Sequence, residues 1–166
     1  EAARARFEEK MTEPTLRSAH LFTLTLAVDP NMTDVGETPY GHRRIATVIG
    51  GKFQGEELRG TVLPSPGGDW LLMRRDGVLQ LDVRLTLKTD DDHLVYMSYR
   101  GMRHGPAWVI DQLNKGEKVD PSQYYFRSTP WFETSSDKYR FLNRIVCVAT
   151  GRREPTGPVY EVFQIL

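Results

Sequence analysis

Apolar and polar residues alternate along most of the chain. Near the start, Phe22, Leu24 and Leu26 alternate with Thr23 and Thr25, and this period of two predicts a half-buried β-strand. Comparable runs follow, separated by clusters of Gly, Pro, Asp and Asn: RRIATVIGG, EELRGTVLP, DWLLMRR, VLQLDVRLTLKT, HLVYMSYRGM, QYYFRST, YRFLNRIVCVATGRR and VYEVFQIL. The pattern predicts about nine strands.

Only the segment GPAWVIDQLNKG has helical spacing. Its Trp108, Val109, Gln112 and Leu113 recur at the helical period, and Gly116 is suited to cap the end. The strands are joined by short turns, so we expect antiparallel pairing, and a sheet of this size closes on itself to remove its edges. We therefore predict an all-β protein, an antiparallel β-barrel with one short helix.

The length of the chain suits one core. At 166 residues it contains no repeat and no linker that would mark a domain boundary. The charged residues 1–15 predict a flexible or helical leader, and residues 16–166 predict a single barrel domain.

The charges balance, with 22 Lys and Arg against 22 Asp and Glu. The chain thus lacks the net positive charge that favours binding to nucleic acid or to an anionic membrane surface, and we expect neither as a partner. The single cysteine, Cys147, excludes an intramolecular disulfide and suits a reducing compartment. No apolar run approaches the roughly 20 residues that span a bilayer. We expect a cytoplasmic location.

The motifs of metal and nucleotide sites are missing. His20, His42, His93 and His104 have no HxH or HExxH spacing, and the glycines of VIGGKFQG match neither a P-loop nor GxGxxG. We expect no metal ion and no cofactor.

Polar residues on the strands are the first candidates for chemistry. Asp82 and Arg84 share one face of their strand, and Tyr96 lies on a polar face of the next. On a solvated face, Asp82 and Arg84 would be a screened surface pair. Inside a closed barrel they could orient a substrate and exchange protons. The hydroxyl of Tyr96 could steady an oxyanion, or its ring could pack in the core. Both alternatives stay open at this point.

The stretch GGDWLLMRRDG contains two further acids. Asp76-Gly77 predicts a two-residue hairpin turn in which both residues have positive φ. Asp69, by contrast, has no turn to form. We expect Asp69 and Asp82 to face one cavity, where burial raises the pKa of at least one so that it acts as a general acid or base.

Aromatic residues predict the wall of that cavity. We expect Trp70, Tyr96 and Trp131 to line it, since a barrel of this size can hold one small ligand. The segment from Tyr124 to Thr134 is the most aromatic in the chain, and its Glu133 would have a raised pKa if it were desolvated there.

The motifs, taken in order, resemble those of the family DUF3237, also called UPF0311. The resemblance rests on ETPYGHRRIATVIGGKFQGEELRGTVLP, GGDW, RRDGVLQLDVRLTLKTDD, YRGMRHGP, YYFRSTPWFET, YRFLNRIVCVATGRR and VYEVFQIL, and covers Leu16 to Leu166. It implies a small cytoplasmic, lipocalin-like barrel that forms homo-oligomers, with fungal relatives that look like cyclisation or isomerisation enzymes. It places emphasis on these positions: Asp69, Trp70, Asp76, Gly77, Asp82, Arg84, Phe132, Glu133, Thr134, Leu142 and Asn143.

Three functions follow as hypotheses. The first is an enzyme without a cofactor that moves protons on a small apolar or aromatic compound, giving isomerisation, cyclisation, or addition of water or a hydroxyl to an alkene. Its expected catalytic residues are Asp82, Asp69, Arg84 and Tyr96, and its expected substrate-binding residues are Trp70, Tyr125, Trp131, Glu133 and Asn143. The second is a non-catalytic carrier, whose pocket would hold few titratable groups, and the third is a structural oligomer.

Overall fold

The computed structural model describes residues 15–166 and contains ten β-strands, one α-helix and two short 3₁₀ helices. Apart from Thr15, the predicted leader lies outside the described residues. The strands are β1 (Ser18–Val28), β2 (Thr33–Thr38), β3 (Gly41–Gln54), β4 (Arg59–Val62), β5 (Gly68–Met73), β6 (Leu79–Thr89), β7 (Leu94–His104), β8 (Tyr125–Glu133), β9 (Cys147–Glu154) and β10 (Gly157–Ile165). The helix α1 spans Ala107–Asn114, and the 3₁₀ helices span Pro121–Gln123 and Arg140–Arg144.

The strands form a closed antiparallel barrel, as predicted. The pairing runs β1, β10, β9, β8, β7, β6, and the circle closes because β3 pairs with β1 and is joined to β6 through β4 and β5. β4 and β5 occupy the same gap between β3 and β6, one at each end of the barrel, so the wall is eight strands wide. Closure leaves few free strand edges.

The strand that the sequence pattern did not predict is β2. Its sequence TDVGET carries no apolar alternation, and it pairs only with β3. The register shifts between Asp34 and Gly36, and Gly36 has a φ of +91°, which marks a β-bulge. β2 lies outside the barrel wall, so it needs no apolar face.

The helix α1 and its cap are confirmed. Gly116 has a φ of +77°, and its N–H donates to the carbonyl of Leu113 at 3.0 Å. Val109 and Leu113 are buried and attach the helix to one end of the barrel.

The turn between β5 and β6 differs from the predicted two-residue turn. Gly77 has a φ of +83°, but Asp76 does not have a positive φ, so the type I′ prediction is wrong. Asp76 instead accepts hydrogen bonds from the Arg74 side chain and from the N–H of Val78. The longer loop places only its glycine in the left-handed region.

The interior of the barrel is lined by the apolar faces of the strands. On β6 the buried side chains are Leu79, Leu81, Val83, Leu85, Leu87 and Thr89, which puts the intervening residues on the outer wall. β7 follows the same rule, with Val95, Met97 and Tyr99 buried. Small barrels fill their interior with side chains in this way.

One end of this interior is solidly packed. The ring of Phe22 lies 5.5 Å from that of Phe53 and 5.8 Å from that of Phe132, in tilted and edge-to-face contacts. Leu142 from the second 3₁₀ helix is also buried. We call this the packed end.

Within residues 15–166, no helix is both long and apolar enough to cross a membrane.

Candidate functional site

The other end of the barrel holds a cavity of about 200 Å³. It is lined by Leu26, Val28, Met32, Arg44, Ala46, Val48, Asp69, Leu71, Leu79, Leu81, Val83, Tyr99, Arg103, Leu113, Asn114, Phe126, Arg153, Pro158 and Tyr160. Asn114, at the end of α1, is exposed to solvent, which marks the open side of the cavity. A mostly apolar wall with a few polar groups is typical of small-molecule sites. We call this the cavity end.

Asp69 is the single carboxylic acid among the lining residues. It lies on β5 opposite Val83, and its Oδ1 accepts a hydrogen bond from the N–H of Asp82 at 3.0 Å. Burial raises the pKa of Asp69 to about 7, against a downward pull from that hydrogen bond and from the positive charge of Arg103. Near neutral pH the Asp69 side chain is therefore present both as acid and as carboxylate.

Two buried tyrosines share the cavity with Asp69. The rings of Tyr99 and Tyr160 lie 5.1 Å apart, edge to face, and neither hydroxyl has a hydrogen-bond partner among the described residues. Burial raises the pKa of both hydroxyls, and the nearby charge of Asp69 raises it further. Both tyrosines stay neutral at physiological pH, so each hydroxyl keeps its proton and can donate a hydrogen bond.

Three arginines complete the polar part of the lining. Arg44, Arg103 and Arg153 come from β3, β7 and β9, and within residues 15–166 none of them forms an ion pair with a carboxylate. Burial lowers the pKa of Arg103, and the neighbouring charge of Arg153 adds to this effect. The cavity thus holds three guanidinium groups against one carboxyl.

The structure separates the acids that we expected to share a cavity. Asp82 and Arg84 lie on the outer wall, with Arg84 Nη1 3.5 Å from Asp82 Oδ1. Together with Tyr96 and Trp131 they line a separate groove on that wall. The prediction that Asp69 and Asp82 face one cavity is wrong, because apolar side chains of β6 occupy the interior and force Asp82 outward.

The expected aromatic wall also lies elsewhere. Trp70 faces outward and is stacked by the guanidinium of Arg84, 5.2 Å from the ring centroid. Trp131 is 57% exposed and Tyr96 is 41% exposed. None of the three lines the cavity, and the prediction that they do is wrong.

The remaining expected binding residues lie outside the cavity as well. Tyr125 is exposed and stacks on His104, with ring centroids 4.9 Å apart. Glu133 is exposed on the outer face of β8. Asn143 clamps the backbone of Thr134, accepting from its N–H and donating to its carbonyl, both at 2.9 Å. These contacts give Asn143 a structural role.

The side chains that could ligate a metal ion are dispersed in the described part of the chain. No group of three or more His, Cys, Asp or Glu side chains there lies close enough to hold an ion. Cys147 is buried in β9, and burial raises the pKa of its thiol to about 11. The titratable chemistry of the interior is that of Asp69 and its neighbours.

The sequence analysis missed Tyr99, Tyr160 and the three arginines. Tyr99 and Arg103 have the same strand parity as Val95 and Met97, so they lie on the apolar face of β7. A polar residue on an apolar strand face was the available signal, once that face is assigned to the interior. Tyr160 is the fourth residue of β10 and belongs to no catalytic or binding motif, so only the fold brings it to Tyr99.

Fold and site together define a small closed antiparallel barrel that is packed at one end and carries an acid-containing cavity at the other. Residues 14–165 match the model of the family described as protein of unknown function DUF3237. A UPF0311 protein of Rhodopseudomonas palustris is 36% identical over 153 residues, 92% of this chain and 99% of the relative. A UPF0311 protein of Bradyrhizobium diazoefficiens is 37% identical over the same shares. The chain belongs to the DUF3237 family.

Solved structures share the fold. The crystal structure of the R. palustris protein has a TM-score of 0.88 and 36% identity, and the match covers 93% of this chain and 100% of that one. A structure described as a beta-barrel like protein from Acinetobacter baumannii has a TM-score of 0.80, 35% identity, and coverage of 93% and 99%. An enzyme from Penicillium herquei has a TM-score of 0.69 at 20% identity, with coverage of 93% and 98%, and shows likeness of fold.

Proposed function

We propose that this protein is an enzyme without a cofactor that moves protons on a small, largely apolar or aromatic compound bound at the cavity end. The observation that carries the proposal is Asp69, a carboxyl group with a pKa of about 7 that lines the cavity between apolar side chains. A group that titrates near the working pH transfers protons most effectively in both directions. Perturbed carboxyl groups in clefts are characteristic of functional sites.

Asp69 and the two tyrosines have distinct roles in this proposal. As a carboxylate, Asp69 takes a proton from a carbon or hydroxyl of the substrate, and as an acid it returns the proton to another atom. The free hydroxyls of Tyr99 and Tyr160 donate hydrogen bonds to the oxygen on which negative charge develops. They are neutral donors whose own protons stay in place, since burial raises their pKa.

The bonds balance without an oxidant or reductant. In an isomerisation, one C–H bond breaks and another forms, with Asp69 carrying the proton between the two carbons. In the addition of a hydroxyl to an alkene, the O–H and C=C π bonds break while a C–O and a C–H bond form. Cyclisation is the same addition when both groups belong to one molecule.

The carrier hypothesis is less well supported by the cavity. A carrier pocket would hold few titratable groups, whereas this one combines a carboxyl, two unpaired hydroxyls and three guanidiniums. Neither hydroxyl meets the criteria for a hydrogen bond within residues 15–166, so both can bond to a polar group of a ligand. The likeness to the P. herquei enzyme agrees in fold with this view.

The test is solvent deuterium exchange. The purified protein is incubated in D₂O with fractionated small-molecule extracts, and mass spectrometry records compounds that gain deuterium or change structure. We expect Asp69→Asn to slow the reaction by on the order of a hundredfold or more, the usual scale of acid–base catalysis. Asp76→Asn is the matched control and should react like the wild type, because Asp76 lies in an exposed turn.

Asp82→Asn compares the outer groove with the cavity. We expect it to keep far more activity than Asp69→Asn, because only the backbone N–H of Asp82 contacts Asp69. If Asp69→Asn retains full activity, or if Asp82→Asn loses as much as Asp69→Asn, the proposed site is wrong.

A further inference from the structure

The arginines of the cavity are more numerous than proton transfer by Asp69 needs. Arg44, Arg103 and Arg153 come from three separate strands and converge on one small space. Arg153 donates to the carbonyl of Glu154 at 3.2 Å, while Arg44 and Arg103 have no side-chain hydrogen bond within residues 15–166. Burial takes water from the Arg103 guanidinium, and no acceptor within residues 15–166 replaces that water, so the arrangement favours an anion from outside.

Asp69 does not supply that anion. It is the one carboxyl group in the lining, and no ion pair joins it to any of the three arginines. One of its two oxygens, Oδ1, accepts a hydrogen bond from the N–H of Asp82. The positive charge of the cavity therefore remains largely uncompensated.

The strand register separates the acid from the arginines. Asp69, Val83 and Tyr99 lie in one row across β5, β6 and β7. Arg103 lies four residues beyond Tyr99 toward the end of β7, roughly 13 Å further along the strand at about 3.3 Å per residue. Along β3, Arg44 likewise lies two residues nearer the strand's start than Ala46, the partner of Asp69. The acid and the tyrosine thus lie deep, and the arginines lie toward the open side.

The volume limits what can bind. An apolar cavity of about 150 Å³ holds one benzene molecule. The cavity end, at about 200 Å³, accommodates one ring with one or two small substituents. Its wall between the acid and the arginines is apolar, formed by side chains such as Leu79, Leu81 and Phe126.

We propose that the cavity binds a single-ring organic anion, with its negatively charged oxygen held by Arg103 and supported by Arg44 and Arg153, and its ring directed toward Asp69 and the two tyrosines. This inference names the substrate class. It rests on the proposed function for the statement that the ring is the part of the ligand that reacts with Asp69. A carboxylate and a phenolate share the required chemistry, a planar anion that accepts from guanidinium N–H groups.

Binding of benzoate tests the proposal directly. Titrations at about pH 6, where Asp69 is mostly neutral, are followed by NMR shifts of ¹⁵N-labelled protein, with benzamide as the uncharged probe of the same shape. We expect saturable benzoate binding with shifts at the cavity end and clearly weaker benzamide binding. Addition of 4-nitrophenol near its own pKa distinguishes the phenolate source, because binding as the anion increases the phenolate absorbance.

Variants of β7 test whether Arg103 binds the negatively charged oxygen of the ligand. Arg103→Gln should weaken benzoate binding by on the order of tenfold or more, the scale of a charge-assisted hydrogen bond. Arg103→Lys should restore part of the loss, which a purely structural role would not predict. Arg100→Gln is the matched control, because Arg100 is an exposed arginine of the same strand. The NMR spectrum of each variant shows whether it is folded.

The outcomes separate this inference from the proposed function. If benzamide binds as well as benzoate, if Arg103→Gln binds benzoate as the wild type does, or if neither benzoate nor 4-nitrophenol binds, the anion site is wrong. Asp69→Asn should bind benzoate about as tightly as the wild type at pH 6, because Asp69 is already mostly neutral there. Benzoate binding that depends on Arg103, together with full activity of Asp69→Asn, would retain the anion site and refute acid–base catalysis by Asp69.

Discussion

The two ends of the barrel use the same strands for opposite purposes. At the packed end, the ring of Phe22 contacts the rings of Phe53 and Phe132, and the three side chains fill the interior. At the cavity end, the same wall encloses about 200 Å³ and buries polar groups without partners. Burial of apolar area stabilises the packed end. The cavity end gains less of this stabilisation, because part of its interior is empty and part is polar. The contrast indicates that the packed end supports the fold, and it agrees with our proposal that the cavity end binds a ligand.

Removing a ring from the packed end should have the largest effect. Phe22 is fully buried and contacts two other aromatic rings, so Phe22→Ala should lower the free energy of unfolding by about 3–5 kcal/mol. Tyr40→Ala is the control, because Tyr40 is 77% exposed and should change stability by less than about 0.5 kcal/mol. Urea denaturation measures both. Equal losses in the two variants would contradict the assignment of the packed end.

Asp69 should make the stability of the cavity end depend on pH. The folded protein keeps a proton on Asp69 up to about pH 7, whereas an unfolded chain releases it near the ordinary value of 3.8. Between these values the folded state binds more protons, so the free energy of unfolding falls as pH rises. At about 1.4 kcal/mol per pH unit, the total loss attributable to Asp69 is on the order of 4 kcal/mol by pH 8.

Asp69→Asn should remove this slope. Relative to the wild type, the variant should gain stability steadily from about pH 4 to pH 8, as measured by urea denaturation across the range. Asp76→Asn should keep the wild-type slope there, because hydrogen bonds from Arg74 lower the pKa of Asp76. Parallel curves for wild type and Asp69→Asn would show that Asp69 is ionised normally.

The smallest expected effects are the changes in stability on removing single tyrosine hydroxyls from the cavity end. Tyr160→Phe removes an unpaired buried hydroxyl and should raise stability by about 1 kcal/mol while lowering the rate of the proposed reaction. Tyr124→Phe removes a hydroxyl that accepts from the N–H of Arg153 at 2.9 Å, and should lower stability by about 1–3 kcal/mol. Thermal unfolding of the pair measures the difference. A loss of stability in Tyr160→Phe would show that its hydroxyl is structural.

Much of the fold followed from the sequence because each barrel strand has one buried face. The period of two in β1 and β6 reflects that burial directly, and α1 showed its own period and glycine cap. β2 was missed because it packs outside the wall, where no apolar face is required. Strand periodicity reports burial, and it is silent about strands that bury nothing.

The candidate site was harder to predict because alternation does not say which face is inside. Treating the polar face of β6 as the interior favoured Asp82 and Arg84, yet the apolar face fills the interior in a barrel this narrow. Asp69 was identified by its lack of any turn role. Tyr160 could not be found, because its proximity to Tyr99 depends on closure of the whole barrel.

The pKa of Asp69 is the most direct test of the account. Protein labelled with ¹³C at the aspartate carboxyl carbon is titrated by NMR, and the Asp69 signal is assigned as the one missing from Asp69→Asn. We predict a midpoint near the value of about 7 that burial in the cavity imposes. A midpoint near 4, the range of an exposed aspartate, would contradict the claim that the cavity end holds a general acid and base.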